Sequence, residues 1–399
     1  MCLAIRWRCS RGNLPVCGSS HSSSSRARVW TTIVAATESP ASGGTGGLLA
    51  VADGDNLLRS WVLASRGKQA AAAVASFGYR LGENLLALRS QLLAQAWRPG
   101  AYVHFSIHEP KRRWISAAPF ADRVVHHALC GVIEPRFERS FIGDSYANRV
   151  GKGTHRAVDR LQQFARLHRY VLRLDVRQHF PSIDHAILKD LLWRRIPEPG
   201  IRDLIRHIVA SGDGIHAEQV PAAFFDGDDL LAQCRPRGLP IGNLTSQFWS
   251  NCFLDPLDQF VKRTLRCGPY LRYVDDFALF HDDKVVLREW GVAVQDFLAR
   301  RLRLRVHDNT AQVQACAAGI PWLGFVVYPD HQRVKSRKVV AATRRLRASH
   351  AAWQRGDISF GEFDATVQGW INHVGQADTW GLRRHVLGGL ALDGCWLGK

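Results

Sequence analysis

The chain has 399 residues, of which 46% are hydrophobic and 22% charged, a balance that suits a sizeable core and excludes a fibrous or wholly disordered chain. The formal net charge of +18 is carried mainly by arginine, whose planar donor fork matches phosphate, so a polyanionic partner is expected; codon bias could skew arginine over lysine but not create the excess. Nine scattered cysteines without a Cys-x-x-Cys pair, and the lack of any run of 18 apolar residues, argue against a disulfide framework and a membrane span and fit a reducing cytoplasm.

Residues 1–50 read as a low-complexity, disordered extension, because the Ser run 22–25 and the Gly-rich stretch 42–47 cannot form a packed core. The first 37 residues hold five Arg and no Asp or Glu, a composition that an organelle transit peptide shares and that a mis-set translation start would also explain. From Asn56, Leu57, Leu58, Trp61 and Val62, and then Leu85, Leu88 and Leu92, recur at helical spacing and predict two helices. Alternation over 102–107, the basic Lys111-Arg112-Arg113 and a second β-rich run at 114–117 predict a basic hairpin. Helices follow over 122–138 and 157–167. His126, His127 and Cys130 on the first of them lack the second cluster that a zinc site requires, so they read as structural. Residues 170–174 form a strand that ends on Asp175. Residues 211–237 read as loop with Asp226 to Asp229 in solvent, and 243–266 as one long helix bent at Pro256. From Arg337 onward, basic residues separate Leu346, Trp353, Phe360, Phe363, Val367, Trp370 and Ile371, which predicts a small basic helical appendage.

Two β-rich runs, 270–274 and 277–280, are joined through Asp275-Asp276 and predict a hairpin with two acids at its tip. Taken alone, turn chemistry explains the pair equally well. Asp175 at the end of another strand breaks the tie, because two-metal phosphoryl transfer needs carboxylates from separate strands within ~4 Å of a metal pair. Hard oxygen donors with no Cys/His cluster nearby suit two Mg²⁺ ions, with Mn²⁺ as a substitute, rather than zinc.

Arg173-Leu174-Asp175-Val176-Arg177-Gln178-His179-Phe180, then the segment from Gly238 to Gln247, then Tyr273-Val274-Asp275-Asp276 resemble motifs A, B and C of reverse transcriptases in order. The similarity extends over about residues 56–390, with 319–325 similar to a primer grip. The resemblance implies an α+β right-hand polymerase with an antiparallel palm sheet: fingers over 51–168, palm over 169–335 with a finger-like insertion at about 200–236, and a small helical thumb over 336–399. Position by position, it makes Asp175 and Asp275 the principal metal ligands, Asp276 the adjoining carboxylate and the Val176 backbone a further oxygen donor. Phe180 falls where the family places a ring beneath the incoming sugar, a ring that clashes with a 2′-hydroxyl, so dNTPs are the expected substrates. Residues 145–154 resemble a further fingers motif in which Arg149 binds the triphosphate, with Lys111, Arg113 and Lys152 assisting. The Gly-Lys-Gly-Thr string there is no P-loop, since the spacing would need glycine at Tyr146.

In motif B, Ile241-Gly242 and Ser246-Gln247 stand where many bacterial reverse transcriptases carry Gln-Gly and Ser-Pro. That variant resembles the diversity-generating retroelement lineage, which implies a template RNA and primer, errors at adenines through altered contacts near Gly242 and Gln247, and a small basic accessory protein as partner. One departure from the family is the lack of a Lys within 305–313, where a candidate general acid for pyrophosphate is expected; His307 substitutes, or proton donation is dispensable, or the copy is impaired. The competing readings are a group II intron-like or defence-associated reverse transcriptase and a catalytically degenerate RNA-binding derivative.

Overall fold

The computed structural model describes residues 46–107, 113–215, 224–307 and 311–390. Residues 1–45 and Lys111 lie outside the described residues. Among the described residues four helices, not two, precede the hairpin: α1 (Gly46–Val51), α2 (Gly54–Ser65), α3 (Ala72–Tyr79) and α4 (Leu81–Leu93). The last residues of the expected extension are therefore folded: Leu48 and Val51 are buried, and Gly200 leaves room for Leu48, whose side chain would stand 3.1 Å from a Cβ there. Composition hides α3, because an Ala-rich stretch with only Val74 buried has no periodic apolar face and depends on tertiary packing.

The expected hairpin is β1 (Val103–Ile107) paired antiparallel with β2 (Arg113–Ala117). Helix α5 (Phe120–Glu138) buries Val124, Val125, Leu129 and Ile133 against α2 and is followed by α6 (Thr154–Leu167). His126 and Cys130 are buried on α5, and burial pushes the His126 pKa down to about 3, a neutral core imidazole.

Strand β3 (Tyr170–Asp175) is central. After it come the short α7 (His179–Ser182), α8 (His185–Trp193), α9 (Pro199–Ala210) and α10 (Leu244–Gln259), which continues as a π-turn over Phe260–Thr264. Then follow β4 (Tyr270–Tyr273), β5 (Asp276–His281), α11 (Lys284–Phe297) with a second π-turn at Leu298–Leu302, and β6 (Gln312–Ala315). These strands form one antiparallel sheet in the order β4-β5-β3-β6, with α6 and α11 packed on it. Leu172 and Leu174, Phe277 and Leu279, and Tyr270 and Leu271 are buried in it.

A second small sheet, β7 (Ile320–Trp322), β8 (Phe325–Val327) and β9 (Gln332–Val334), leads into α12 (Ser336–Gln354), α13 (Phe360–Val374) and α14 (Trp380–Gly388). These last helices bury Leu346, Phe363, Val367 and Trp370 in a core of their own, separate from the main one. Among the described residues, no helix is long and apolar enough to cross a membrane.

Candidate active site

The register of the central sheet brings the acids together. Asp175, last in β3, lies directly across from Asp276, first in β5, so Asp276 opens a strand instead of sharing the hairpin tip. The turn is Val274-Asp275, and the Val176 amide donates to the Asp275 carbonyl at 3.1 Å, tying the ends of the two acidic segments. Val274 has φ +56, a left-handed conformation that costs a β-branched residue on the order of 1–3 kcal/mol. Arg272 holds it there: fully buried, it donates to the Val274 carbonyl at 3.0 Å and to Asp258 at 2.7 and 2.8 Å, while Tyr270 donates to the same carboxylate at 2.7 Å. Sequence reading missed this brace. Its signal was a charged residue in a core strand, Arg272, and an acid on the apolar helix α10, Asp258.

Burial, together with the charges of Asp175 and Asp276, pushes the Asp275 carboxyl up to about 7. Burial raises Asp276 too, opposed by Arg173 and Lys335. The Arg173 guanidinium stands 3.9 Å from Asp276 and 5.7 Å from the centre of the Trp322 ring. Mutually repelling carboxylates at strand ends are a hard-oxygen donor set that a divalent cation neutralises. Among the described residues no three His, Cys, Asp or Glu side chains enclose an ion by themselves. Mg²⁺ is commonly held in this way, by one or two carboxylates with substrate phosphates completing the shell. The donor set fits.

The motif A and B segments are zipped together beside the acids. Leu239 N donates to the Phe180 carbonyl at 2.9 Å, Gly238 N to the Ile183 carbonyl at 2.8 Å, and the His179 ring bonds Ser250 at 2.7 Å. Phe180 is buried against this seam, 9% exposed. Gly242 has φ +120, and a Cβ on it would stand 3.0 Å from Ile115; the adjacent Ile241 carbonyl accepts from Ser116 N at 3.0 Å, which docks the hairpin on motif B. Gln247 is half-buried in the first turn of α10.

Arg149, the expected triphosphate ligand, is engaged by groups of the protein itself. Its side chain is 6% exposed, and it donates to Glu138 at 2.8 Å and to the Ile142 and Ser145 carbonyls at 2.7 and 2.9 Å. Its donors tie the 142–145 loop to Glu138 at the end of α5. The Lys152 ammonium reaches the Gly143 carbonyl at 2.5 Å and lies over the Tyr146 ring. Arg113 sits at the loop end of the hairpin, opposite Ile107. His307 is exposed, and its amide donates to the Asp175 carbonyl at 2.9 Å.

Residues 107–327, more than half of the chain, match the family reverse transcriptase (RNA-dependent DNA polymerase). Protein YkfC of Escherichia coli (strain K12) is 22% identical over 312 residues, covering 68% of this chain and 78% of that protein. Nuclear intron maturase 2, mitochondrial, of Arabidopsis thaliana is 26% identical over 140 residues, 31% of this chain and 19% of that protein. Among solved structures, apo telomerase from Candida tropicalis, truncated from its C-terminal domain, aligns with a TM-score of 0.43 at 12% identity over 59% of this chain, which spans 55% of that one. With acids at the ends of adjacent antiparallel strands and a match that runs from the end of β1 through the central sheet to β8, the chain belongs to the reverse transcriptase family, a right-hand RNA-directed DNA polymerase.

Proposed function

We propose that the chain copies an RNA template into DNA from a primer, using dNTPs and two divalent ions held by Asp175, Asp275 and the Val176 backbone, with Asp276 adjoining. When bound, such ions activate the attacking 3′-oxygen and stabilise the leaving pyrophosphate. The single observation that carries this reading is the register that sets Asp175 across from Asp276 with Asp275 in the turn beside them. The chain's own part is positioning: the Arg272 brace fixes the turn, and Gly242 lets motif B approach the hairpin over the same ground. Arg149, now engaged by Glu138, would exchange that partner for the triphosphate, with Lys111, Arg113 and Lys152 assisting. Residues 51–168 serve as fingers, 169–335 as palm and 336–399 as thumb.

Within the family, the variant Ile241-Gly242 and Ser246-Gln247 supports a diversity-generating retroelement enzyme, with a small basic accessory protein as partner. The stretch similar to an intron maturase favours a second reading, an intron-type enzyme. The test is dNTP incorporation on a primed RNA template with Mg²⁺, wild type against Asp275→Asn, scoring errors at template adenines. Loss of activity in the variant is expected if the carboxylate holds the ions. Adenine-specific errors support the retroelement reading, and faithful copying supports the intron one. Template binding without incorporation in either protein returns the degenerate RNA-binding reading.

A further inference from the structure

Asp175 is held between two backbone partners. On one side lies β5; on the other, residues 305–307 pair with it, through Arg177 N donating to the Arg305 carbonyl at 2.7 Å, His307 N to the Asp175 carbonyl at 2.9 Å, and a Val176–Val306 bridge. This second partner belongs to no helix or sheet strand and starts from Arg303 in a left-handed conformation, φ +51. What fixes it is a loop some 80 residues away in sequence, within the insertion.

Arg305 donates to the Phe224 carbonyl at 2.8 Å, and its guanidinium lies 5.4 Å from the Phe225 ring centre; Arg235 stands 5.5 Å from the same ring. Arg303 forms ion pairs with Asp228 at 3.1 Å and Asp184 at 3.5 Å. Arg235 engages the same two acids at 2.8 and 3.3 Å, and Asp228 also accepts from Phe225 N at 3.0 Å. Asp184 in turn caps α8 through Ala186 N and Ile187 N at 2.9 and 3.2 Å. The two carboxylates are 3% and 1% exposed. Two arginines and two aspartates thus form a neutral quartet, in which both carboxylates and Arg235 are covered while Arg303 is partly exposed, a network unlike an isolated surface pair of small worth. The sequence expectation that Asp228 is solvated is overturned: it closes the loop on the arginines.

We propose that residues 224–237 act as a strap that positions Asp175. Arg303 and Arg305 are its positioning residues, acting through the 303–307 segment on the backbone that carries the carboxylate and the Val176 carbonyl. This rests on the reading that Asp175 holds a catalytic ion. A surface insertion with no such role would stabilise the fold and leave the metal site alone.

The test uses the full chain with Asp228→Asn, which keeps shape and removes charge, Asp228→Glu as the rescue, Arg303→Gln, and Asp226→Asn as an exposed control. Mn²⁺ affinity of the free enzyme is read by calorimetry, hydrogen exchange at the Arg177 and His307 amides by NMR, and kcat and KM for dNTP separately. Asp228→Asn and Arg303→Gln are expected to weaken Mn²⁺ binding about ten-fold and lower kcat more than they raise KM, in the manner of outer-shell partners of a metal site. They should also speed exchange at both amides, with Asp228→Glu and Asp226→Asn close to wild type. A fall in thermal stability with Mn²⁺ affinity and exchange unchanged overturns the strap. Asp275→Asn with unaltered Mn²⁺ affinity overturns instead the assignment of the ion site, while the exchange data still report on the strap.

Discussion

At the scale of single residues, the Asp258–Arg272 pair is the one whose loss should be felt furthest. Both side chains are fully buried, and the guanidinium is shared between Asp258, Asn251 and the Val274 carbonyl. Asp258→Ala leaves a buried positive charge without its partner, a change that typically costs about 3–5 kcal/mol. Urea denaturation should show that loss. Activity should fall further than stability explains, because the left-handed turn before Asp275 loses its brace; equal activity per folded molecule would refute that coupling. The Arg149–Glu138 pair is a contrasting case, where the residue type suggested phosphate and the environment supplied a carboxylate and two carbonyls instead.

At the scale of elements, two contacts are decisive. The hairpin β1–β2 is only two strands, too few to stand alone in water, and it leans on motif B through Ser116 and Ile241. Gly242→Ala places a Cβ 3.0 Å from Ile115 at a φ of +120 that L-residues rarely adopt, so about 1–3 kcal/mol of strain is expected there. Its measurable results are a lowered Tm from the strained backbone and a raised KM for dNTP as the hairpin moves away from the new Cβ; an unchanged KM would mean that the hairpin does not touch nucleotide. The C-terminal helices form a second core, and Trp370, 3% exposed, lies within it. Trp370→Ala should cost about 3–5 kcal/mol. Thermal unfolding should then split into an early transition confined to the last helices and a later one for the sheet, with proteolysis cutting after residue 335. A single unsplit transition would show that the two cores unfold together.

For the whole molecule, acid sensitivity follows from histidines buried in the main core. Burial pushes His126 and His179 down to about 3 and His127 to about 4, from an ordinary 6.5. Their folded pKa values lie below the unfolded one, so the unfolded chain takes up protons first as pH falls. Stability is therefore full above 6.5 and is lost progressively below it, at about 1 kcal/mol per histidine over the first pH unit. Unfolding free energies measured at pH 7.5, 6.5 and about 5.5 should carry a histidine loss of roughly 3 kcal/mol across the last step, offset by about 1 kcal/mol from Asp275, whose raised carboxyl takes up its proton in the folded state over the same range. Replacing His126 and His179 with a neutral residue of similar size should flatten that dependence.

The sequence by itself determined the family and where its acidic motifs lie along the chain. Asp175, Asp275 and Asp276 were legible because alternation along a strand and the residues of a tight turn are local signals, and so were the hairpin, the long helices and the basic C-terminal helices. Only the tertiary structure decided who faces whom. The Arg303–Asp184 and Arg305–Phe224 contacts, the occupation of Arg149 by Glu138, the folding of residues 46–51 and the place of Asp276 in a strand all depend on partners distant in sequence or on register. Local patterns state that a charge must be satisfied. They do not name its partner, because the pairing is set by how separate elements pack around one core.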